Sequence, residues 1–393
     1  MNILIVPSWY EARPGAQLGS FFREQALALK RSGCNVIVAD ATLQSLKGLK
    51  TKKLFSLQTK DDEGLLTYSY LTPAFGLMRM PKIGAKLYAK NLERLLRRII
   101  KDGHKFDIIH AHSYYCAGVA ATRLGKKYGI PVVVTEHSSA IISRILDDQR
   151  VDLLKETVEA CEKFICVGNG LKNAVIEYTQ TTKDIAVIPN MVDKIFNYKE
   201  EKELDAFSFV SIGNLIQRKR FDLVIQAFAR VFKESPDVML KIIGDGPLKD
   251  KLKALAKEQG VEDQVIFTGR MDRNGVAQEL QRSHVFVLAS DYETFGVVYI
   301  EAMACGSPVI GTRNGGADDI INESCGILVD TDDVDQLARA MKMIFSTYQN
   351  YNKKQIADQC NSQYGETAIS KQLQVVYSDI MKLGEYGNGS IKE

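Results

Sequence analysis

The sequence predicts an α/β protein of two doubly wound domains, each built on a parallel sheet. Short apolar runs, of a length suited to buried strands, alternate with amphipathic stretches along the chain. At 393 residues the chain exceeds the size of one ordinary core. A polar segment at 194–205 interrupts the alternation, and we interpret it as a linker. We therefore place the first domain at residues 1–194 and the second at 195–368.

The first half alternates strand and helix candidates. Each strand candidate is a short aliphatic run, and each helix candidate has apolar residues at helical spacing. The predicted strands are 3–6, 36–39, 108–110, 132–135, 164–167 and 186–188, and the predicted helices are 19–31, 84–101, 115–128, 151–161 and 170–178.

The second half repeats this pattern. Ligands of doubly wound sheets bind outside the carboxyl ends of the strands, so the loops that follow strands are the candidate sites. The predicted strands are 207–212, 239–243, 265–268, 285–289, 309–311 and 326–329, and the predicted helices are 221–232, 248–258, 274–282, 297–304, 334–345 and 369–381.

The composition is that of an ordinary globular protein, with 45% apolar and 25% charged residues. We find no run of about twenty apolar residues that would span a membrane. The amino terminus has no basic lead and predicts a first buried strand rather than a signal peptide. The seven cysteines are odd in number and scattered, which predicts reduced core thiols and a cytosolic protein.

Charge is distributed unevenly along the chain. Residues 1–195 hold 28 Lys and Arg against 19 Asp and Glu, a net charge of +9, whereas residues 196–393 carry −6. This asymmetry predicts an anionic partner for the first half.

One segment of the second half is the most informative. The strand at 285–289 is followed by Glu293, and the helix at 297–304 carries Glu301. The first amides and the dipole of that helix attract an anion such as a diphosphate, and Gly296 lets the backbone approach it. Carboxylates repel phosphate, so the two glutamates suit sugar hydroxyls. A nucleotide sugar has hydroxyls at both ends and a diphosphate between them.

A basic cluster follows the first strand of the second half. Gly213 and Asn214 lead into three cations, Arg218, Lys219 and Arg220. Cations at a strand end suit a diphosphate leaving group, because they neutralise the charge that grows as the glycosidic bond breaks. A solvated basic turn is the alternative interpretation.

The two glutamates in an E-x7-E pattern, followed by Glu-Ala-Met-Ala-Cys-Gly-Ser-Pro-Val, resemble the signature of the retaining family 4 glycosyltransferases. The resemblance implies a GT-B fold, with two Rossmann-like domains facing a central cleft and a final helix, at about 369–385, that returns to the first domain. It also implies that Glu293 contacts the sugar and phosphate of the donor and that Glu301 holds the ribose.

The basic cluster departs from the family in one position. The family usually has an arginine directly after the glycine and a lysine a few residues later. Lys219 matches the lysine, but Asn214 stands where the arginine is expected. We expect Arg218 or Arg220 to replace that arginine and favour Arg218.

The resemblance places further post-strand loops at the donor. The turn with Gly244 and Gly246 lies near the nucleotide, Arg270 and Met271 contact the base, and the glycines at 315–316 line the pocket. The predicted donor contacts are Gly15, Gly19, Gly213, Asn214, Gly244, Gly246, Arg270, Met271, Phe295, Gly296, Val297 and Glu301, and the predicted catalytic residues are His137, Arg218, Lys219 and Glu293.

Several residues of the first half are also candidates. His137 lies at a strand end, and its family counterpart lies beside the donor sugar. Gly15 and Gly19 resemble the glycine loop that approaches the donor phosphate from this domain. Asn190 and Asp193 match a motif at the domain boundary, which we interpret as a turn that shapes the hinge.

His110 and His112 alternate at the end of another strand. We predict that they point to opposite faces, one towards the acceptor side and one into the core, and therefore do not bind zinc together. We also find no D-x-D motif placed to hold a metal and a diphosphate. The sequence therefore predicts a metal-independent enzyme without a cofactor.

The basic helix at 82–105 allows two interpretations. Its lysines and arginines alternate with leucines and isoleucines, which is typical of a surface helix with one buried face. The alternative is a peripheral contact with anionic lipid at the inner face of a membrane.

The best hypothesis is a retaining glycosyltransferase of cell-surface polysaccharide synthesis. It would move a sugar from a nucleotide-diphosphate sugar, UDP more than GDP, to a glycan or lipid-linked acceptor, and we expect no nucleic-acid partner. Two alternatives remain: an NDP-sugar epimerase of the same architecture, and a non-catalytic protein that binds NDP-sugars.

Overall fold

The computed structural model describes residues 1–10, 19–44, 54–76, 79–200 and 206–388. The chain forms two compact units. Unit 1 comprises Met1–Pro189 and Ile369–Glu393, and unit 2 comprises Asn190–Ala368. No helix within the described ranges combines the length and the apolar character needed to cross a bilayer.

Unit 1 contains an eight-stranded sheet in the order β10-β9-β8-β7-β1-β2-β5-β4. All pairings are parallel except β4 with β5. The central strands are buried almost throughout, as expected where helices cover both faces. The strands are β1 (Asn2–Pro7), β2 (Asn35–Asp40), β3 (Leu43–Gln44), β4 (Leu57–Asp62), β5 (Leu65–Tyr70), β6 (Thr72–Pro73), β7 (Ile108–His112), β8 (Val132–Glu136), β9 (Lys163–Cys166) and β10 (Ile185–Val187), of which β3 and β6 pair apart from the sheet.

The helices of unit 1 cover this sheet. The last helix of the chain also packs here, because the hydroxyl of Tyr377 lies 2.6 Å from Nδ1 of the buried His110. The helices are α1 (Ser20–Arg31), α2 (Pro81–Lys101), α3 (Val119–Tyr128), α4 (Ser139–Ile142), α5 (Asp148–Ala160), α6 (Asn169–Thr179) and, at the end of the chain, α13 (Glu366–Asn388).

Unit 2 contains a six-stranded parallel sheet in the order β13-β12-β11-β14-β15-β16. Its strands are β11 (Phe207–Ile212), β12 (Val238–Ile243), β13 (Val265–Gly269), β14 (Val285–Leu288), β15 (Val309–Thr312) and β16 (Gly326–Val329), and its helices are α7 (Phe221–Phe232), α8 (Lys249–Glu258), α9 (Arg273–Gln281), α10 (Val297–Ala304), α11 (Val334–Thr347) and α12 (Lys353–Tyr364).

All seven cysteines lie in the described part of the chain. Each is buried, and none forms a disulfide. This is the environment of small core residues rather than of a disulfide framework.

Candidate active site

The strand order of unit 2 reverses between β11 and β14. The chain moves outward from β11 to β12 and β13, then returns to β14 on the other side of β11 and continues to β16. The loops after β11 and β14 therefore meet at the carboxyl edge, where the amide of Asp291 donates to the carbonyl of Arg218 at 2.8 Å. Such a reversal is where doubly wound sheets form ligand sites.

Glu293 lies at this reversal, in contact with two cations. Nζ of Lys219 contacts Oε1 of Glu293, and Nη1 of Arg218 lies 3.6 Å from Oε2. Glu293 and Lys219 are buried, with 7% and 9% of their surface exposed. Burial acts to raise the pKa of Glu293, but the charges of Lys219 and Arg218 outweigh it, so the pKa lies below its ordinary value. Glu293 is therefore an ionised carboxylate at neutral pH.

The three cations of the basic cluster have different surroundings. Arg220 pairs with Asp222, Asp291 and Asp332 at 3.2, 3.2 and 2.8 Å, so its guanidinium is held by carboxylates. Arg218 instead points towards Glu293. The geometry favours Arg218 over Arg220 as the second cation of the site, and its catalytic role stays a prediction.

The start of α10 is built for close approach of its backbone. Gly296 has φ 92° and precedes α10 without a side-chain cap. A Cβ at this position would lie 2.6 Å from the ring of Tyr299, so only glycine fits. Phe295 is buried, and Val297 begins the helix, whose first amides have no acceptor within the helix. This geometry suits an anion, and binding of the diphosphate here stays a prediction.

The loop after β15 supports Glu293 from the other side. The amide of Glu293 donates to the carbonyl of Asn314 at 3.1 Å. A Cβ on Gly316 would lie 2.7 Å from the carbonyl oxygen of Phe295. The glycine therefore allows this loop to pack against the segment that carries Glu293.

Glu301 belongs to a second charged cluster, which includes a residue that the sequence did not reveal. Arg273, at the start of α9, lies 3.8 Å from Glu301 and 3.4 Å from Asp193. Burial raises the pKa of Glu301 to about 7; the charge of Arg273 acts to lower it, and that of Asp193 acts to raise it. Arg273 was missed because no local pattern places the start of α9 beside α10.

Gly244 and Gly246 have a structural reason to be glycine. A Cβ on Gly244, which has φ 149°, would lie 1.9 Å from the carbonyl oxygen of Gly213, and one on Gly246 would lie 2.5 Å from that of Leu215. Their loop thus packs directly on the loop after β11. Their contact with the nucleotide stays a prediction.

Three other predicted donor residues are placed as follows. Asn214 and Arg270 are exposed, and Met271 is half-buried between β13 and α9. Their roles at the base or diphosphate stay predictions.

In unit 1, His137 follows β8 and lies beside a second histidine. Its Nε2 is 3.2 Å from Nδ1 of His112, and its ring packs near Phe21 and Phe22 at 5.0 and 5.1 Å between centroids. His137 is half-buried. Gly19 precedes α1 with φ 72°, and Gly15 lies outside the described residues.

The prediction that His110 and His112 point to opposite faces was wrong. Residues i and i+2 of a strand share a face. Their ring centroids lie 4.5 Å apart, and both side chains are buried. Burial lowers the pKa of both histidines, that of His110 to about 3, so both rings are neutral at pH 7.

Within the described residues, no group of three or more His, Cys, Asp or Glu side chains is arranged to hold a metal ion. The charge at the unit 2 site comes from Lys219, Arg218 and the start of α10.

Two protein families match this chain. The family described as Glycosyl transferases group 1 matches residues 193–358, and Glycosyltransferase Family 4 matches residues 18–195. These two matches define the protein as a glycosyltransferase. The N-acetyl-alpha-D-glucosaminyl L-malate synthase of Bacillus anthracis is 30% identical over 292 residues, which cover 70% of this chain and 75% of that protein. The chain belongs to glycosyltransferase family 4.

Other curated relatives are longer than the matched region. A phosphatidylinositol N-acetylglucosaminyltransferase component of Arabidopsis thaliana is 25% identical over 72% of this chain and 64% of its own length. Its counterpart from Homo sapiens is 30% identical over 59% of this chain and 49% of its own length.

Solved structures give the fold. Sucrose-phosphate synthase from Thermosynechococcus elongatus aligns with a TM-score of 0.78 at 20% identity, over 98% of this chain and all of that chain (100%). HepE from Anabaena in complex with UDP aligns with a TM-score of 0.73 at 18% identity, over 96% and 100%. The predicted GT-B class, with two parallel-sheet domains, is confirmed.

Proposed function

We propose that this glycosyltransferase is a retaining enzyme that transfers a sugar from a UDP-sugar to a glycan or lipid-linked acceptor in cell-surface polysaccharide synthesis. The observation that carries the proposal is the contact of Glu293 with Lys219 and Arg218 beside the uncapped start of α10. Cations and helix amides attract the diphosphate, and the carboxylates accept hydrogen bonds from hydroxyls.

Each part of the donor has a proposed partner in unit 2. Lys219, Arg218 and the first amides of α10 hold the diphosphate. Glu293, which pairs with Lys219 and Arg218, accepts from a sugar hydroxyl. Glu301 accepts from the ribose hydroxyls, with Arg273 beside it. These cations replace a divalent metal, so we propose that transfer is metal-independent.

The choice of UDP and of an N-acetylhexosamine rests on the names of relatives. The Bacillus and Arabidopsis relatives are both named for an N-acetylglucosaminyl group, and a structural neighbour was solved with UDP. The Arabidopsis and human relatives are also named for phosphatidylinositol, which is a lipid. UDP-N-acetylglucosamine is therefore the first donor to test, and a lipid-linked acceptor is the first acceptor class.

The proposed step is a displacement on one face of the sugar. The bond between the anomeric carbon and the β-phosphate oxygen breaks, and UDP leaves with both electrons. The acceptor oxygen bonds to the same carbon from the same face, and its proton passes to the departing phosphate. Lys219 and Arg218 stabilise the charge that develops on the diphosphate.

Incubation with UDP- and GDP-sugars tests this function. We expect slow hydrolysis of one donor without acceptor, and NMR should show that the released sugar keeps the donor's anomeric configuration. An isomerised donor would indicate an epimerase, and nucleotide binding without any turnover would indicate a non-catalytic protein. Either outcome would contradict the proposal.

A Glu293→Gln variant tests the role of this carboxylate. We expect kcat to fall roughly 100-fold or more, while the Kd for UDP changes by less than about threefold. Equal losses in turnover and binding would contradict the role. Glu279→Gln, which alters a half-buried glutamate of α9 that pairs with Lys241, is the matched control.

We also propose that α2 makes a peripheral contact with anionic membrane at the cytoplasmic face. Its outer side carries Lys82, Lys86 and Lys90, and its start exposes Met80 and Ile83, with 51% and 47% of their surface accessible. Exposed apolar side chains beside lysines suit a lipid headgroup region.

Vesicle sedimentation tests this contact. Replacing Lys82, Lys86 and Lys90 by Ser should reduce binding to vesicles with anionic lipid at low salt. The control replaces Lys251, Lys253 and Lys257, exposed on α8 of unit 2, by Ser and removes the same charge. Equal binding of the two variants would refute a role for α2.

A further inference from the structure

The turn that follows β7, at 113–118, is strained. Ser113 has φ 67°, and Cys116 has φ 65° with ψ −72°. Neither residue is glycine, and the conformation of Cys116 is that of the rare γ-turn. Such conformations are unfavourable and persist only where neighbouring structure holds them.

Ser8, directly after β1, holds one side of this turn. Its hydroxyl donates to the carbonyl of Tyr115 at 2.6 Å and accepts from the amide of Ala117 at 3.2 Å. The strand order of unit 1 reverses between β1 and β7, because β1 is followed by β2 on one side and flanked by β7 on the other. The strained turn therefore lies at the position where such a sheet forms its ligand site.

Glu136, the last residue of β8, holds the other side. It is fully buried, and its Oε2 accepts from the amide of Tyr114 at 2.6 Å. Its Oε1 accepts from the amides of His137 and Ser138 at 2.8 and 2.6 Å. All three partners are backbone N–H groups, which can only donate. A carboxylate has two acceptor oxygens and can accept all three hydrogen bonds, whereas a side-chain amide has one acceptor oxygen and would turn its own N–H groups towards a donor.

This arrangement joins two loop segments at one carboxylate. Glu136 binds the strained turn after β7 and the two residues that follow β8, of which His137 is the predicted catalytic residue. The contact between His137 and His112 at 3.2 Å fixes the imidazole at a second point. A buried carboxylate is costly to desolvate, but this one accepts from three backbone N–H groups that an apolar side chain would leave without an acceptor. The carboxylate therefore holds the backbone on both sides of it in one arrangement.

We propose that Glu136 is a positioning residue that fixes His137 and the turn at 113–118 in the arrangement needed for sugar transfer. It acts through backbone amides and does not itself contact the substrate. This inference rests on the proposed function, because it assigns a role within that reaction.

A Glu136→Gln variant tests the proposal, because glutamine keeps the shape but presents N–H groups to an N–H donor. We expect kcat, normalised to the concentration of nucleotide-binding sites, to fall roughly 10- to 100-fold. A small misplacement of catalytic groups has an effect of this size. The Kd for UDP should stay within about twofold of the wild-type value, because the proposed UDP site lies in unit 2. Amide hydrogen exchange should increase at 113–118 and 137–138. Glu136→Asp, which keeps the charge but retracts it, should give a smaller loss and serves if the glutamine variant does not fold.

Glu162→Gln is the matched control. Glu162 accepts from the amide of Val132, at the opposite end of β8. Glu162 is exposed and accepts this single backbone N–H, which the remaining oxygen of glutamine can also accept, so the same Glu-to-Gln change should leave kcat unchanged. Faster exchange in the Glu136 variant with unchanged kcat would reduce the residue to a structural role and overturn the proposal. Unchanged exchange would overturn it as well.

Failure of the proposed function would look different. If the wild-type enzyme consumes no donor, the transferase reaction is refuted by that result alone. The exchange data and the imidazole NMR signals of His137 would then decide whether Glu136 positions this histidine. Unchanged signals in the Glu136→Gln variant would overturn the positioning role.

Discussion

The ammonium of Lys219 contacts the carboxylate of Glu293 at the point where the strand order of unit 2 reverses. Both groups are nearly buried, and Arg218 lies on the other oxygen of the same carboxylate. Lysine has three donors, so one ammonium can hold the glutamate and still donate to a phosphate. The pair thus links the proposed sugar contact with the proposed diphosphate contact.

Removing Lys219 alone should lower the free energy of unfolding more than removing both members of the pair. Lys219→Met leaves Glu293 buried beside Arg218 only, which raises its pKa and should cost about 3–5 kcal/mol of unfolding free energy. The double variant with Glu293→Gln should recover most of that stability but no activity. Urea unfolding of the four proteins of this cycle measures the coupling, and additive effects would contradict the pairing.

Variants of Arg218 and Arg220 should differ in which property they change, UDP affinity or thermal stability. Arg218→Ala removes a cation near Glu293, so the Kd for UDP should rise about tenfold, or about 1.4 kcal/mol, with little change in Tm. Arg220→Ala breaks ion pairs with Asp222, Asp291 and Asp332 and should lower Tm. Calorimetric titration with UDP and thermal unfolding measure both effects, and the reverse pattern would assign the missing cation to Arg220.

The raised pKa of Glu301 predicts that nucleotide binding depends on pH. Its pKa of about 7 means that lowering the pH from 8 to 6 protonates the carboxyl that is proposed to accept from the ribose. The affinity for UDP should therefore fall in this window. Arg273→Ala should shift the midpoint to higher pH, because Arg273 acts to lower the pKa of Glu301. A flat profile between pH 6 and 8 would contradict the assignment of Glu301.

The raised pKa of Glu301 also predicts an effect on stability. This effect is opposite in sign to the effect on UDP binding, because deprotonation favours binding but disfavours folding. A carboxyl whose pKa is raised in the folded state disfavours folding once the unfolded chain has released its proton. Its contribution to stability therefore falls as the pH rises from about 4.5 through about 7. Glu301→Gln should raise Tm at pH 8 and change it little at pH 4.5, while weakening UDP binding. A lower Tm at pH 8 would contradict this.

The buried histidines predict loss of stability in acid. Burial lowers the pKa of His110 from 6.5 to about 3, so the unfolded chain binds a proton that the folded chain does not. The contribution of the neutral His110 to stability is fully present above pH 6.5. It falls as the pH drops below 6.5, by about 1.4 kcal/mol per pH unit for one proton. His110→Gln should reduce the slope of unfolding free energy between pH 6 and 5. An unchanged slope in this variant would contradict the prediction.

Much of the fold could be predicted from the sequence, because most elements follow a simple pattern. The bounds of β11, α7 and α10 match their apolar runs. The hairpin of β4 and β5 was missed, because β4 is largely exposed and carries charged residues instead of an apolar run. Helix α12 was missed because it is short of apolar residues and lacks a strong helical pattern.

The sequence placed residues of the candidate site together where they are close along the chain, and it missed contacts that the fold makes between distant residues. Glu293, Gly296 and Glu301 share one loop and helix, so their spacing carries the signal. Arg273 reaches Glu301 from another helix, and Glu136 binds a turn whose conformation no sequence pattern shows. Side-chain contacts between separate loops depend on tertiary packing, which a single sequence does not reveal.

A crystal structure with UDP bound would test most directly whether unit 2 holds the donor as proposed. The diphosphate should lie within hydrogen-bonding distance of the first amides of α10 and of Nζ of Lys219, with the ribose hydroxyls on Glu301. A diphosphate bound away from α10, with Lys219 and Glu301 both untouched by the nucleotide, would contradict the proposed site.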